Sequence, residues 1–367
     1  MAIKIATMIG DNYGSALQAF ALQQSIKECG GGSSIVKLRP KSYIIRFAKT
    51  YLIPTKYDGV KKKARKAVSD FKNRRKRRKV REFYQKNIVV EIHRTIEELL
   101  SNEKSRITFI CGSDQIWNPQ FQPNQLFYLD FSTKLNIKKY SYAASIAVSS
   151  LAKEECEYYK RKLKDFEGVS VREKTGKYLL DELLDKNVRV DVDPVLLLGA
   201  DKWESMMSAR FSGKDYILLY MLRPMPELLS FAKMVAQSRG LKLLYIGDFD
   251  YDDADIESCH DAGVEDFLNA IYSARYVITN SFHATVFSTI FKKKFCSYAV
   301  SRTGTRVLDF LDDFNLQECR IDDLNRTDYS FNQKIDWDEI SSIINRKKQG
   351  SLKYIRSIVN QDKSVSY

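Results

Sequence analysis

One histidine of this sequence is placed for acid–base chemistry or for contact with an anion. In the segment YVITNSFHATVF, which begins at Tyr276, an apolar strand is predicted to end at Asn280 and Ser281, and His283 then starts an amphipathic helix. The partial positive charge of a helix start disfavours the charged form of an imidazole. His283 is therefore predicted to transfer a proton or to bind an anion, and a packed or capping histidine is the alternative.

A dense polar cluster follows another apolar segment, in FICGSDQIWNP from Phe109 to Pro119. Its polar side chains are those of Ser113, Asp114, Gln115 and Asn118. Trp117 lies within the cluster and is either a flat surface for a sugar ring or a core anchor. The cluster predicts a binding loop, and a polar turn that caps its own backbone is the alternative.

The loop GDNYGS, from Gly10 to Ser15, separates a short apolar strand from an apolar-periodic helix. The unpaired amides and the positive dipole end of such a helix can hold a ligand. The residues predicted to face it are Asp11, Asn12, Gly14 and Ser15. A plain turn with Ser15 as the helix N-cap is the alternative.

Cations occur at two further predicted strand ends. Arg172 follows a strand in VSVREKTG, and Arg306 lies just after Gly304 in SRTGTRVLDFL. Arginine can grip a carboxylate or a phosphate through two hydrogen bonds at once. Lys292 and Lys294 end the helix that starts with His283. The arginines could bind an anion or form surface ion pairs, whereas the lysines are typical of a solvated helix end that matches the helix dipole.

Strand and helix patterns alternate along the chain, which predicts an α/β fold with parallel sheets. Strands are expected near 3–9, 34–38, 106–111, 139–146, 168–172, 188–192, 216–222, 241–246, 276–280 and 295–299. Helices are expected near 15–29, 60–86, 151–166, 173–184, 226–239, 263–275, 282–292, 305–313 and from about 337. A boundary near 200 predicts two domains, 1–200 and 201–367. Ligands of open parallel sheets bind at the carboxyl ends of the strands, where the residues above lie.

Composition narrows the class of protein. The net charge of +14 is local, because residues 61–81 hold thirteen Lys and Arg against one acid, Asp70. The longest apolar run, Tyr216 to Leu222, is far shorter than a membrane-spanning helix requires. The amino terminus does not resemble a signal peptide, and the six cysteines have no paired spacing. A cytoplasmic protein without a metal site is predicted.

Several of these segments together resemble the polysaccharide pyruvyl transferase family. In chain order they are NYGSALQAFAL, GSDQIWNP, SYAASIA, VSVREKTG, DPVLLL, GVEDFLNAIYSARYVITNSFHA and FSTIFKKKF. The resemblance covers roughly residues 3–311, and GSDQIWNP and TNSFHA are its most specific parts. The chain departs from the family at Ala284, where a glycine is common, and at Lys294, where a proline is common.

The resemblance implies two facing Rossmann-like domains, similar to the GT-B glycosyltransferases. It also implies transfer of a pyruvyl group from phosphoenolpyruvate to a sugar of a capsular or exopolysaccharide repeat unit, forming a ketal without a cofactor or a metal. The implied catalytic residues are His283, Asp114 and Asp11. The implied donor-binding residues are Arg172, Asn280, Ser281, Lys292, Lys294 and Arg306. The implied acceptor-binding residues are Asn12, Gly14, Ser15, Ser113, Gln115, Trp117 and Asn118.

Other functions compete with this one. The same architecture serves nucleotide-sugar glycosyltransferases, in which the cations would hold a diphosphate. The basic run 61–81 lies in the helical insertion predicted at 60–86, and it would suit an anionic membrane surface at the inner face of the membrane. Nucleic acid is a weaker candidate partner, because no motif for base recognition accompanies the run. A solvated helix without a partner is the remaining alternative.

Overall fold

The computed structural model describes residues 2–39, 73–101, 106–121, 124–131, 136–249, 251, 253–300, 304–326 and 329–363. Its first sheet is wholly parallel, with the strand order β3-β2-β1-β4-β5. The strands are β1 (Ala2–Ala6), β2 (Gly32–Leu38), β3 (Val90–His93), β4 (Arg106–Cys111) and β5 (Asn136–Ser141). A short parallel pair, β6 (Ser170–Val171) and β7 (Arg189–Val190), continues from this sheet through a bridge between Ala144 and Val171.

The second sheet has six parallel strands in the order β10-β9-β8-β11-β12-β13. These are β8 (Tyr216–Tyr220), β9 (Lys242–Ile246), β10 (Ile256–Cys259), β11 (Tyr276–Thr279), β12 (Lys294–Tyr298) and β13 (Arg320–Ile321). Strands β8 and β11 are central and largely apolar, since a parallel sheet covered on both faces buries continuous apolar runs. The sheets correspond to the predicted alternation, although the short strands β3, β10 and β13 were not predicted.

Helices cover both sheets. They are α1 (Tyr13–Glu28), α2 (Arg74–Asn87), α3 (Ile96–Ser101), α4 (Lys153–Leu163), α5 (Lys174–Asp181), α6 (Ala200–Glu204), α7 (Pro226–Ser238), α8 (Val264–Ser273), α9 (Phe282–Ile290), α10 (Thr305–Asp313) and α11 (Trp337–Lys363). Helix α2 is the described part of the predicted basic helix, whose residues 60–72 lie outside the described residues.

Helix α1 lies between the two domains, which explains why it is apolar on most of its faces. Twelve of its sixteen residues are buried. Tyr13 stacks on Phe267 of α8 with ring centroids 4.8 Å apart, and Phe20 meets Trp203 of α6 edge-on at 5.8 Å. A helix covered on all sides must be hydrophobic all round. The amino-terminal end of α1 is thereby held against the second domain.

The C-terminal helix α11 joins the domains a second time. Near its start, Lys347 pairs with Asp313 of the second domain at 3.0 Å. Near its end, Tyr354 donates to the carbonyl oxygen of Ser141 at 3.1 Å, and Thr108 donates to Asp362 at 2.8 Å. The last turns of α11 therefore pack on the first domain. The length of the helix spans both domains.

Candidate active site

Loops at the carboxyl ends of the strands converge where the two domains meet. His283, at the start of α9, lies directly against Gly14, at the start of α1. A Cβ atom built on Gly14 would lie 2.1 Å from His283 Nδ1. Any larger side chain at this position would overlap the imidazole ring. Gly14 of the GDNYGS loop is therefore required because His283, 269 positions later in the chain, lies against it.

His283 is buried, with 6% of its surface exposed. Its Nε2 atom lies 3.6 Å from Asp193 Oδ2 and has no hydrogen-bond partner among the described residues. Ser281 caps the helix by accepting from the amide of Ala284 at 3.5 Å. His283 therefore has one ring nitrogen facing a carboxylate and the other facing the Gly14 backbone.

Asp193 contacts both Arg172 and His283. Its Oδ2 accepts from Arg172 Nη1 at 2.6 Å and faces His283, while its Oδ1 accepts from the amide of Val195 at 3.1 Å. Burial opposes ionisation of this carboxyl, but the charges of His283 and Arg172, with the hydrogen bond from Arg172, outweigh burial and hold its pKa below the ordinary range. Asp193 was not predicted as a site residue, and its only sequence signal was its place in the DPVLLL segment.

Arg172 is buried beneath the ring of Phe282, with its Cζ atom 4.2 Å from the ring centroid. Its Nε and Nη2 atoms have no hydrogen-bond partner in the described part of the chain. The neighbouring carboxylate of Glu173 lies 3.8 Å from Nε, and its other oxygen accepts from the amides of Ile146 and Ala147. A guanidinium with buried donors left unpaired is suited to an anionic ligand.

Arg306, near the start of α10, is a second buried guanidinium, with its Cζ atom 5.7 Å from the centroid of the same Phe282 ring. Burial and the nearby charge of Arg172 lower the pKa of Arg306 to about 10. With its amide oxygen directed at this guanidinium, Gln115 accepts from Nη1 at 3.2 Å and from Nη2 at 2.9 Å. Arg306 Nε has no partner among residues that the structure describes. Like-charged guanidinium groups this close favour a shared counter-anion.

Asp114 supplies the second buried carboxylate of the cluster. Ser15 of α1 donates to its Oδ2 at 2.6 Å, across 99 positions of the chain. Burial opposes ionisation, but the charges of His283 and Arg172 and the hydrogen bond from Ser15 lower the pKa of Asp114 below its ordinary value. The structure thus brings together His283, Asp114, Arg172 and Arg306 from the predicted set, with Gly14, Ser15 and Gln115 beside them.

Lys292 and Lys294 lie away from this cluster. Lys292 is half-exposed beyond the end of α9 and is 3.9 Å from Asp338. Lys294 begins β12 and donates to the carbonyl oxygen of Phe331 at 3.1 Å. Helix α9 has nine residues, and at 1.5 Å per residue it carries these lysines to the opposite edge of the sheet from His283. The structure therefore does not bring the two predicted donor-binding lysines together with the cluster.

Two residues of the FICGSDQIWNP loop are structural. Trp117 is fully buried, stacks near Tyr128 and donates to the carbonyl oxygen of Phe127 at 3.0 Å. Ser113 is fully buried and donates to the carbonyl oxygen of Ala143 at 2.8 Å. Neither side chain can reach an acceptor, so the alternatives of a core anchor and a self-capping turn apply to them. Their predicted acceptor contacts are corrected.

The remaining predicted residues have local or peripheral roles. Asn12, not Ser15, caps α1, because its side chain accepts from the amides of Gly14 and Ser15 at 2.8 and 3.3 Å. Asp11 is exposed and lies 3.3 Å from Arg77, so the structure does not bring it into the buried cluster. Asn280 accepts from the amide of Leu222 at 3.1 Å at the cleft.

Two cavities adjoin the cluster, and Arg306 lines both of them. One, of about 400 Å³, is also lined by Gln115, Asn280 and Arg223. The other, of about 200 Å³, is also lined by Arg172, Asp193 and Phe282. Asn118 lies against the side-chain amide of Gln115 and accepts from the amide of Gln120 at 2.9 Å, next to the wall of the larger cavity. Small ligands bind in clefts of about 300–1,000 Å³ that carry a few placed polar groups, and the larger cavity lies in this range.

The described residues offer neither a metal-binding cluster nor a membrane-spanning helix. Within the described ranges, no group of three or more His, Cys, Asp and Glu side chains is arranged to hold a metal ion. No helix in the part of the chain that the structure describes is long and apolar enough to cross a membrane.

Two facing Rossmann-like domains give a GT-B-like fold, and solved structures are similar to this chain. A UDP-N-acetylglucosamine 2-epimerase matches with a TM-score of 0.51 at 12% identity, over 98% of this chain and 95% of that chain. The UDP-GlcNAc 2-epimerase from Methanocaldococcus jannaschii matches with a TM-score of 0.47 at 10% identity, over 94% of this chain and 92% of that chain. That from Neisseria meningitidis matches with a TM-score of 0.46 at 9% identity, over 98% and 94%.

The family follows from a separate comparison. The family model of polysaccharide pyruvyl transferase matches residues 12–302, which include every member of the cluster except Arg306. The chain belongs to the polysaccharide pyruvyl transferase family and is a transferase. No curated protein matches the chain. At identities of 9–12%, the structural likeness extends to the fold and to nothing further.

Proposed function

We propose that this enzyme transfers the pyruvyl group of phosphoenolpyruvate to two hydroxyls of one sugar, forming a cyclic ketal. The observation that carries the proposal is the set of buried, unpaired donor atoms on Arg172, Arg306 and His283. Phosphoenolpyruvate carries a carboxylate and a phosphate, which are the two groups that guanidinium donors bind best. Leaving buried charged donors unpaired is costly, so an anionic substrate would stabilise this arrangement.

The proposed reaction needs a proton at the methylene carbon of the donor. His283 would give this proton, and the first sugar hydroxyl would then add to the oxocarbenium-like carbon and return its own proton to the imidazole. The second hydroxyl would displace the phosphate, which leaves with its bonding electron pair and takes up the proton of that hydroxyl as inorganic phosphate. A positioned general acid commonly accelerates such a step by about 10²–10⁴-fold. Asp193, which faces His283, would stabilise the protonated imidazole.

Asp114 is assigned an electrostatic role in this scheme. An efficient general base has a pKa near the working pH, whereas the pKa of Asp114 is lowered. An ionised carboxylate in a buried site would stabilise the positive charge that develops on the donor carbon. The sugar acceptor is proposed to occupy the larger cavity, beside Gln115 and Asn280. We propose a sugar of a capsular or exopolysaccharide repeat unit as its natural form.

The test is release of inorganic phosphate from phosphoenolpyruvate in the presence of glycan acceptors. The expected result is acceptor-dependent phosphate release together with an acceptor product that carries a pyruvyl ketal by mass spectrometry. Turnover of nucleotide sugars without any consumption of phosphoenolpyruvate would instead establish the rival glycosyltransferase. A purified, folded enzyme that consumes neither donor with any acceptor tried would contradict the proposed function.

A membrane surface is proposed as a second partner, at the cytoplasmic face where lipid-linked acceptors would be presented. Helix α2 exposes Arg74, Arg75, Arg78 and Arg81. Two lysines of the same helix are used within the protein, because Lys76 pairs with Asp248 at 2.7 Å and Lys79 with Asp266 at 2.8 Å. These pairs attach α2 to the second domain and leave the exposed arginines directed at solvent. Basic residues near an anionic surface contribute about 1 kcal/mol each.

A further inference from the structure

Phe121 connects the larger cavity of the candidate site to a third cavity on the first domain. Its ring is 40% exposed and lines both spaces. The third cavity, of about 230 Å³, is formed by the loop after β4 and by the start of α4. Exposed apolar side chains at the rim of a cleft indicate a binding surface. Leu222 and Val300, which are 40% and 36% exposed, line the larger cavity with Phe121.

The third cavity has aromatic walls and an acidic rim. Tyr128 and Tyr158 form a wall of edge-to-face rings, with centroids 5.1 Å apart. Pro119 adds a further apolar surface, and Glu154 and Glu155 bring carboxylates to the same space. Glu155 accepts from the amide of Ala152 at 2.7 Å, whereas Glu154 is exposed and has no partner among the described residues.

This combination matches the chemistry of a neutral sugar ring. A pyranose has a face of C–H groups, which packs on aromatic and proline surfaces, and a rim of hydroxyls, which donate to carboxylates. A cavity of this size lies below the range for typical small-molecule sites, so it suits a single ring rather than a larger group. Carboxylates of the rim are matched by two cations near the Tyr158 ring, Arg161 at 5.7 Å and Lys162 at 5.6 Å from its centroid, so neither charge dominates and an uncharged sugar is favoured.

We propose that the larger cavity and the third cavity form one extended acceptor groove, in which Tyr158 and Glu154 bind a second, neutral sugar of an oligosaccharide. This inference rests on the proposed function, because it names the acceptor of the same site. The sugar that receives the pyruvyl group lies beside Arg306 and Gln115, and the next sugar of the chain passes Phe121. The enzyme thus acts on a partly built glycan in preference to a monosaccharide. Binding energy from the second sugar then raises the efficiency of transfer.

The experiment compares acceptors of different length. Methyl galactoside, glucoside and mannoside are tested for phosphate release from phosphoenolpyruvate, and the best one is compared with a neutral trisaccharide that ends in the same hexose. The wild-type kcat/KM is expected to be higher for the trisaccharide by about tenfold or more. The variants Tyr158→Ala and Glu154→Gln are expected to bring the ratio of the two values towards one. Tyr178→Ala, which changes a tyrosine 67% exposed on α5, is the matched control and keeps the wild-type ratio.

Two outcomes would overturn the inference. One is an equal kcat/KM for both acceptors in the wild-type enzyme, and the other is a wild-type ratio in both groove variants. If no acceptor releases phosphate, the proposed function fails, and binding then tests the groove by itself. Saturation-transfer NMR with the same trisaccharides should show contact with the wild-type protein and a weaker signal with Tyr158→Ala. No contact in the wild-type protein would refute the groove.

Discussion

The Cα atom of Gly14 lies so close to the imidazole of His283 that a Cβ at that position would be 2.1 Å from Nδ1. The two residues begin helices in different domains, so their contact fixes how the first domain meets the acid–base candidate of the second. Glycine is used here for close approach and not for a left-handed backbone, since a positive φ is found at other glycines and not at Gly14. The approach of two helix starts therefore defines the floor of the site.

Replacing Gly14 with alanine should displace the His283 ring or separate the domains locally. An extra methyl group in a well-packed core typically costs about 1–3 kcal/mol of stability, and an overlap of this size should cost more. We expect a lower melting temperature and a fall in kcat of about tenfold or more, since a misplacement of 1 Å can cost about 10²-fold. Gly10→Ala is the matched control in the same loop, because a Cβ atom at Gly10 would have nothing within 4 Å. Equal effects of the two substitutions would contradict this account.

His283→Gln keeps a polar side chain at the start of α9 but removes the group that can carry a proton. Turnover should fall by about 10²-fold or more, which is the usual contribution of a general acid. Phosphate release from phosphoenolpyruvate measures the effect, and circular dichroism establishes that the variant is folded. A folded variant with wild-type kcat would remove His283 from catalysis.

Asp193→Asn should destabilise the protein in a pH-dependent way. The pKa of Asp193 is lowered in the folded state, so its carboxylate adds stability that is fully present above the unfolded pKa of about 3.9. This stability is lost as the pH falls below that value, towards the lower folded pKa. Removal of one partner from a buried ion pair costs about 3–5 kcal/mol. Urea unfolding should therefore separate the variant from the wild type at pH 7 and pH 5, with a smaller difference below pH 4. Equal unfolding midpoints at pH 7 would contradict the pairing with Arg172.

Arg306→Gln should weaken donor binding more than turnover. Arg306 is buried with an unpaired Nε, and loss of one charged partner at a desolvated anion commonly costs about 2–5 kcal/mol. The KM for phosphoenolpyruvate should rise by more than tenfold in initial-rate measurements. Arg275→Gln is the control, because Arg275 is exposed and its pair with Asp215 at 3.0 Å is solvated. An unchanged KM in Arg306→Gln would exclude Arg306 from the donor site.

Neutralising the exposed arginines of α2 should release the enzyme from anionic vesicles. The variant carries glutamine at Arg74, Arg75, Arg78 and Arg81. Sedimentation with vesicles of phosphatidylcholine and phosphatidylglycerol should fall sharply, and added salt should mimic the change because screening acts over about 8 Å at physiological ionic strength. Activity on a soluble acceptor should persist.

A control for this experiment carries the same loss of charge elsewhere on the surface. Its four glutamines replace the exposed cations Lys202, Lys214, Lys242 and Arg275. This control should keep its vesicle binding. If both variants bind vesicles as the wild type does, the arginines of α2 have no role at a membrane. If the wild type binds nucleic acid in a salt-sensitive way and only the α2 variant loses that binding, nucleic acid and not a membrane is the partner of α2.

Periodicity and loop composition were sufficient to place most of the chemistry. Apolar strands followed by polar loops located His283, Asp114, Arg172 and Arg306 at the carboxyl ends of parallel strands, where open α/β sheets bind ligands. The short strands β3 and β10 were not predicted. Each has only four residues, some of them polar, and so short a segment gives little periodic signal. The basic run was correctly predicted to be helical over the part that the structure describes. The ion pairs that its lysines form were not predicted.

The sequence by itself determined the element types and the side of each sheet on which the site residues lie, because both depend on neighbouring residues along the chain. Only the tertiary structure decided which of them meet. Packing between segments that are far apart in sequence places Asp193 against Arg172 and His283. The same packing places Lys292 away from this cluster. The burial and the pairing of charged groups depend on that packing. Burial and pairing, more than residue type, determine which groups stay ionised and which hydrogen-bond donors can bind a substrate.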